Sequence, residues 1–313
     1  MTKLQNAIED YITLRQTLGF KLRKAATGLR RFGVFLEANG ATFITIKLAR
    51  EWAMQPAQCQ PSVWAQRLGW IRGFAHYWSP NDPRTQIPPD DLLPFQPQRA
   101  RPHLYSDQEI QRLIDATTNL SSRIGLRPWT YRCLFGLLAV SGLRLGEAQR
   151  LERCDVDLKE GLLVIRQTKF NKTRLVPLHP TASAALKQYA QRRDQLIKSP
   201  KSSCFFLNER GRWLQSSAIH DTFYELSRLI GIRGQTSSHG PRIHDFRHRF
   251  AVHTLIQWYR TGQDVEQCLP ILSTYLGHSC IADTYWYLSI HPELMGLATA
   301  RLEQRWEGDR ESE

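Results

Sequence analysis

The sequence predicts a mainly α-helical protein with a small β-sheet, organised as two domains. Three observations support this prediction. Apolar residues recur at helical spacing through residues 4–78. A proline-rich stretch at 79–102 then interrupts the helical pattern. Farther along, the β-branched runs "GLLVIRQTK" and "TRLVPL" flank a polar turn, which is typical of a β-hairpin, and helical patterns follow them.

The first domain is expected to be a small helical bundle. Helices are predicted at 4–19, 24–40, 45–55 and 62–78, and the first two end at glycine. Their short connections favour one all-α domain over 1–95. Basic and aromatic residues alternate through it, which slightly favours DNA contact over an ordinary solvated surface. The candidate DNA-binding residues are Lys21, Lys24, Arg30, Arg67 and Arg72.

Residues 96–102 are predicted to be a stiff linker, and 103–313 a second domain that ends in a helical tail. Ser106 and Glu109 have the spacing of a capping box at its first helix. The hairpin, a further strand expected within "SSCFFLNERGRWL" and the helices make this an α+β domain dominated by helix. Its later helices are predicted at 181–197, 216–230, 244–261, 265–276, 281–290 and 293–305.

Composition excludes several classes of protein. The longest apolar run, 134–140, is too short to span a bilayer, and the N-terminus lacks a secretory cleavage pattern. The six cysteines are scattered without a C-x-x-C pair, so neither a disulfide framework nor a zinc site is expected. We therefore expect a cytoplasmic protein without a membrane partner.

The positive charge is shared by both domains. The formal charge is +13, of which residues 1–99 carry +6 and the remainder carries +7. This balance favours two domains that both face a phosphate backbone, and hence a location at the nucleoid. A basic enzyme that does not bind nucleic acid is the alternative interpretation of the charge.

Two segments place cations where a phosphate can be held. In "SGLRLGEAQRL", Arg144 and Glu147 share one helix face, where Arg144 either binds an anion or merely pairs with Glu147 to fix the helix start. The hairpin turn carries Lys169 and Lys172, which can reach into a cleft and donate a proton, although hairpin lysines usually serve solubility. Lys172 in this turn and Arg174 on the second strand are expected to contact DNA.

The segment "RIHDFRHRFAVH" combines histidine with arginine. His244 and Arg247 are three residues apart, so both side chains can point to one place. A guanidinium matches two phosphate oxygens at once, and a histidine moves protons near neutral pH. No cysteine or acidic residue stands at a familiar metal-ligand spacing from them, so no metal is expected.

The segment "LGHSCIADTYWYLS" contains His278 and two candidate tyrosines. On an α-helix, Tyr285 and Tyr287 lie about 200° apart and cannot face the same site. Tyr285 shares an apolar stripe with Ile281 and Leu288. Helical geometry therefore favours Tyr285 as the core residue and Tyr287 as the exposed one.

In this order the four segments resemble the tyrosine site-specific recombinases, also called the phage integrase family. The resemblance covers about 103–305, and the N-terminal helices resemble, less specifically, the family's core-binding (SAM-like) domain. It implies that Arg144 and Arg247 clamp a scissile phosphate and that Glu147 has a supporting role. It also implies that Lys169 is the lysine of the hairpin turn, which protonates the leaving group.

The resemblance further identifies His244 and His278 with the two histidines of the family. The nucleophilic tyrosine of the family lies nine residues after the second histidine, which matches Tyr287 and not Tyr285. The implied chemistry is attack on phosphorus to give a 3′-phosphotyrosyl link, without a metal or other cofactor. The implied partner is a double-stranded DNA recombination site, which a homotetramer synapses. Accessory recombinases are further partners that the resemblance allows.

Other interpretations stay open. The C-terminal tail can dock on a neighbouring subunit of the tetramer or pack on its own domain. A type IB topoisomerase-like enzyme would share the phosphotyrosine chemistry but relax DNA without a partner strand, and a DNA-binding relative would keep the fold without catalysis. The residues do not separate integration, excision, transposition of a mobile element and dimer resolution. No arm-binding domain is expected before the helical domain, which favours a simple recombinase.

Overall fold

Helices dominate the structure, and a three-stranded antiparallel sheet accompanies them, which confirms the predicted fold class. The chain divides into two compact units, Met1–Ala100 and Arg101–Glu313. The residues that the computed structural model describes are 2–93, 101–166, 173–237 and 239–310, with side chains as far as 303 in the last range.

The N-terminal unit contains the four helices that the sequence predicts. Thr2 caps the first and Thr45 the third, because each hydroxyl accepts a hydrogen bond from a backbone N–H of the first turn. The apolar faces meet in one core, in which Phe32, Trp52 and Phe74 are among the largest buried side chains. The helices are α1 (Lys3–Thr17), α2 (Arg23–Ala38), α3 (Ile46–Met54) and α4 (Pro61–Trp78).

The C-terminal unit begins with a helix at which Ser106 and Glu109 form the expected capping box. None of the helices described has both the length and the hydropathy needed to cross a bilayer. In chain order they are α5 (Asp107–Ala116), α6 (Leu126–Ser141), α7 (Leu145–Gln149), α8 (Pro180–Leu196), α9 (Ser216–Leu229), α10 (Asp245–Arg260), α11 (Val265–Leu276), α12 (Ala282–Tyr285) and α13 (Pro292–Arg310).

The sheet has the order β1 (Val156–Asp157), β2 (Leu162–Ile165), β3 (Arg174–Pro177). Strands β2 and β3 form the predicted hairpin, and their register pairs the last residue of β2 with the first of β3. The further strand expected at 202–214 is wrong. That segment makes only isolated bridges, since three consecutive apolar side chains, beginning at Phe205, are buried there instead of alternating.

Two apolar clusters fill the C-terminal unit. The larger surrounds α6 and includes the tilted and edge-on rings of Phe135, Phe223 and Phe246. The second lies around α10 and α11 and takes in Tyr287 and Leu294. Helix α10 packs against both α6 and α13. It therefore joins the two clusters, and Arg247 on its first turn reaches the C-terminal ends of α6 and α11.

Close packing of α2 on α4 gives a test of the N-terminal core. A Cβ at Gly28 would overlap the Trp70 ring, so Gly28→Ala should destabilise the protein by about 1–3 kcal/mol even though alanine favours helix. Gly69→Ala, on α4, is the matched control: nothing lies within 4 Å of its Cβ, and it should stabilise by about 0.5–1 kcal/mol. Urea denaturation measures both changes, and effects of the same sign would contradict this packing.

Candidate active site

Arg144 stands at the turn between α6 and α7. Helix α6 ends at Gly142 with φ of 60°, and a Cβ there would lie 2.5 Å from the Phe250 ring, so only glycine fits. Two residues later, Arg144 is the N-cap residue of α7. Its guanidinium donates to Glu147 Oε1 (3.0 Å) and to the Gly277 carbonyl (2.9 Å), and 32% of the side chain stays exposed. The guanidinium is thus fixed by the protein and still open to a ligand.

Glu147 is a buried carboxylate shared by two arginines. Besides Arg144, it accepts hydrogen bonds from Arg174 at both oxygens, at 3.1 and 2.8 Å. Burial acts to raise the pKa of Glu147, but the hydrogen bonds and charges of the two arginines outweigh burial and lower the pKa to about 2. From its place in the hairpin, Arg174 is predicted to contact DNA. The structure places its guanidinium on Glu147 and on the Tyr275 carbonyl, with only 9% of the side chain exposed.

Arg247, on the first turn of α10, is almost completely buried. Its guanidinium donates to the Gly142 carbonyl (3.0 Å) and the Leu276 carbonyl (2.7 Å), which lie at the C-terminal ends of α6 and α11. Such carbonyls carry partial negative charge and suit a cation. Burial, and then the charge of Arg144, lower the pKa of Arg247 to about 10. Arg247 is therefore protonated at neutral pH, and a nearby anion would stabilise it.

His278 follows the glycine turn that ends α11. Gly277 has φ of 68°, and a Cβ there would lie 2.8 Å from the Arg174 guanidinium and 3.4 Å from that of Arg144. Both arginines therefore pack directly on this turn. The Nδ1 atom of His278 forms a hydrogen bond with the Thr284 hydroxyl at 2.7 Å. Burial and the neighbouring guanidiniums lower the pKa of His278 to about 4.

The helix predicted at 281–290 is broken in two. Helix α12 ends at Tyr285, and a 3₁₀ turn, Trp286–Ser289, follows it. Tyr287 is 2% exposed and belongs to the core cluster around α10 and α11, whereas Tyr285 is 49% exposed. The assignment of Tyr285 to the core and Tyr287 to the surface is therefore wrong. It assumed α-helical periodicity throughout, but the tighter turn and the packing on α10 determine which tyrosine is buried.

The Tyr287 ring lies among the polar groups of the site. It stacks on His278 with ring centroids 6.1 Å apart and an interplanar angle of 18°, and its centroid is 5.6 Å from that of His248. Burial raises the pKa of Tyr287, while the charge of Arg247 and a hydrogen bond with it act in the opposite direction. The phenol is therefore protonated at neutral pH in the free protein.

Two further imidazoles meet at the start of α10. The ring centroids of His244 and His248 are 4.7 Å apart. Although His244 is exposed, the surrounding protein and then the charge of Arg247 lower its pKa. Burial and the neighbouring His244 lower the pKa of His248 to about 4. The sequence motifs assign no role to His248 and Thr284, although the spacing of four residues from His244 places His248 on the same helix face.

Lys169 and Lys172 lie outside the described residues. The strands on either side of them are described, and they end at Ile165 and Arg174, which pair with each other. Arg174 contacts Glu147, so the first residue of β3 lies beside the site.

The basic residues predicted to contact DNA from the N-terminal unit differ in environment. Lys21 and Lys24 are exposed at the start of α2. Arg30 forms an ion pair with a glutamate of α1 at 2.7 Å, Arg67 lies 3.6 Å over a tryptophan ring, and Arg72 donates to two proline carbonyls. The DNA-binding role stays a prediction for all five residues, and the two lysines have the fewest contacts within the unit.

The fold is that of the tyrosine recombinases, enzymes that cleave and rejoin DNA. Residues 104–293 match the model of the phage integrase family, which is more than half of the chain. The chain therefore belongs to the phage integrase family, as its sequence motifs predicted.

Individual relatives agree with this assignment. The chain is 54% identical over 311 residues to a Sinorhizobium fredii protein, y4rB, that carries the name integrase/recombinase, covering 98% of this chain and 99% of that protein. The structure of the Tn1549 transposon integrase in complex with transposon right end DNA is 16% identical and covers 97% of this chain and 99% of that one, with a TM-score of 0.68. A lambda integrase tetramer bound to a Holliday junction is 16% identical and covers 88% and 77%, with a TM-score of 0.58.

The low histidine pKa values predict a stability that is sensitive to acid. An unperturbed histidine titrates near 6.5, whereas His248 and His278 titrate near 4 in the folded chain. Between these values the unfolded chain binds more protons, so the free energy of unfolding is at its full value above pH 6.5 and falls as the pH drops towards 4. Thermal denaturation from pH 7 to pH 4 measures this fall. His248→Gln should reduce it, whereas His76→Gln, at an exposed position, should leave it unchanged; equal slopes in both variants would contradict the prediction.

Proposed function

We propose that this chain carries out site-specific recombination for a mobile element, with Tyr287 as the nucleophile. The observation that carries the proposal is the placement of the buried Tyr287 ring against His278 and Arg247, the groups that phosphoryl transfer to a tyrosine requires. The name integrase/recombinase of the 54% identical relative supports a role in a mobile element. It also favours DNA integration or excision over dimer resolution.

Arg144 and Arg247 bind the non-bridging oxygens of the scissile phosphate in this proposal. Both guanidiniums are held by helix-terminal carbonyls, so they need little reorganisation when the phosphate arrives. In this proposal His278 is neutral and takes the tautomer whose Nδ1 accepts from the Thr284 hydroxyl, so that the proton on Nε2 is a further donor to the phosphate. These donors stabilise the negative charge that develops as phosphorus becomes five-coordinate.

The cleavage step needs a base and an acid. Tyr287 Oη attacks phosphorus while its proton passes to His244, whose lowered pKa keeps the imidazole neutral and able to accept it. The bond from phosphorus to the 5′-oxygen breaks, and Lys169 protonates the leaving 5′-oxygen. The products are a 3′-phosphotyrosyl link and a free 5′-hydroxyl. Attack by the 5′-hydroxyl of a second strand reverses each transfer and joins the exchanged strands.

We further propose that four copies assemble on two DNA sites, as lambda integrase does on a Holliday junction. In the single chain, the described part of α13 packs on its own domain: Leu294 is fully buried, and Glu293 forms an ion pair with Arg260 of α10. Met295 and Leu302 stay exposed on the same helix. We propose that α13 exchanges onto a neighbouring subunit when the tetramer forms, and sedimentation of the protein–DNA complex measures the number of chains.

The nucleophile is tested with a pool of nicked DNA duplexes whose arms are randomised. Cleavage beside the nick releases a short strand, so the phosphotyrosyl adduct accumulates and survives denaturation. Wild type should form the adduct, and Tyr287→Phe should reduce it by at least about 10³-fold because the attacking oxygen is lost. Tyr285→Phe is the matched control and should retain adduct formation, since this side chain is largely exposed.

The contrary outcomes are distinct. Adduct formation by Tyr287→Phe, or its loss in Tyr285→Phe alone, would overturn the assignment of the nucleophile. Relaxation of a supercoiled plasmid that lacks any site selected from the pool would support the topoisomerase-like alternative. No adduct from any duplex in the pool would favour a DNA-binding relative without catalysis.

The acid is tested by changing the leaving group. Lys169→Ala should slow cleavage of ordinary DNA by about 10²-fold or more, because an alkoxide is a poor leaving group without a proton. A substrate with sulfur at the 5′-bridging position should restore the rate, since a thiol is far more acidic than an alcohol. Lys172→Ala is the matched control and should respond equally to both substrates. A Lys169→Ala defect that persists with the sulfur substrate would exclude a role as the acid.

A further inference from the structure

Each of the three nitrogens of the Arg174 guanidinium donates a hydrogen bond inside the protein. Its Nε atom donates to the Tyr275 carbonyl at 2.7 Å, and its two terminal nitrogens donate to the two oxygens of Glu147 at 3.1 and 2.8 Å. With 9% of the side chain exposed, little of the guanidinium can reach DNA. The fork geometry matches a carboxylate at two points, which fixes the orientation of Glu147 as well as its charge.

Glu147 in turn orients Arg144. The carboxylate oxygen Oε1 receives Arg144 Nη1 at 3.0 Å as well as Arg174, and Oε2 receives the Arg144 backbone N–H at 3.0 Å as well as Arg174. Each oxygen thus has one donor from each arginine. If Arg174 were removed, half of these donors would go, and the pKa of the buried carboxyl would rise because burial would then be opposed only by Arg144.

We propose that Arg174 is a positioning residue that holds Arg144 in its phosphate-binding orientation through Glu147. The proposal rests on the role of Arg144 in the proposed function. Two further contacts support it. Arg174 packs on Gly277, whose carbonyl is the second partner of Arg144, and it lies on β3, where the segment with Lys169 ends. One side chain therefore fixes Arg144 from both sides and joins the hairpin to the turn before His278.

A double-mutant cycle tests whether Arg174 acts through Glu147. The variants are Arg174→Met, Glu147→Gln and the double variant, assayed for the rate of adduct formation at saturating nicked DNA. Each single substitution should slow the rate by about tenfold or more. In the Glu147→Gln background, Arg174→Met should cost less than about threefold, since its target is already altered.

Two other readouts separate positioning from DNA contact and from folding. Arg174→Met should leave DNA affinity and its salt dependence unchanged. Its rate should fall more steeply than that of wild type as the pH is lowered, because Glu147 is more easily protonated once Arg174 is gone. Arg174→Lys should recover only part of the rate, since lysine restores the charge but not the fork.

Arg193→Met is the matched control: Arg193 is another buried arginine, bound to the Phe205 carbonyl and Asp194. It should lower the melting temperature as Arg174→Met does and keep the rate within about twofold.

Three outcomes overturn the proposal. Additive losses with weaker DNA binding would make Arg174 a DNA contact. Equal rate losses in Arg193→Met and Arg174→Met, in step with stability, would make its role structural only. A wild-type chain that forms no adduct would overturn the proposed function and this inference with it, whereas an active wild type with additive losses overturns the inference alone.

Discussion

The C-terminal unit depends on one buried carboxylate. Glu147 has 3% of its side chain exposed, and a buried charge of this kind is tolerated only when strong partners replace water. Arg144 and Arg174 are those partners, and each also binds a carbonyl at the end of α11, at Gly277 and Tyr275 respectively. The carboxylate therefore determines how α7, β3 and the turn that carries His278 meet. Loss of either arginine would leave the charge half-paired, so the same contacts stabilise the local structure and the orientation of the arginine side chains.

Two glycines in the left-handed conformation create the carbonyl sites that orient the guanidiniums of Arg144 and Arg247. Gly142 and Gly277 end α6 and α11, and both turns leave carbonyl oxygens free of helical partners. Arg247 binds the Gly142 and Leu276 carbonyls, and Arg144 binds that of Gly277. A carbonyl carries only partial negative charge, so it fixes a guanidinium in place without neutralising it. Burial, and after it the positive charge of Arg144, lower the pKa of Arg247 to about 10.

The signals that succeeded in the sequence are local ones. Helical periodicity, the capping box of Ser106 and Glu109, and the β-branched runs around a polar turn act over a few residues, and the elements they predicted are present. The predicted exposure of Tyr287 is wrong because the burial of this residue depends on where the helix tightens into a 3₁₀ turn and on packing against α10. The contacts of Arg174 could not be derived from spacing, since its partners are 27 residues away at Glu147 and 101 residues away at Tyr275. The roles of the site residues themselves came from resemblance to a family, not from composition or periodicity.

The protonation states of the free protein indicate how the negative charge of a phosphodiester would change the site. The guanidiniums of Arg144 and Arg174 share the Glu147 carboxylate, and with Arg247 they help to keep His278 neutral. The phenol of Tyr287 is protonated because burial raises its pKa. A phosphodiester would bring a negative charge to this cluster and offset the guanidinium charge that the imidazoles feel. Their pKa values would then move back towards neutrality, where an imidazole both accepts and returns a proton efficiently. In the proposed function, the charge that would bind the phosphodiester would therefore also prepare the proton transfers that cleavage requires.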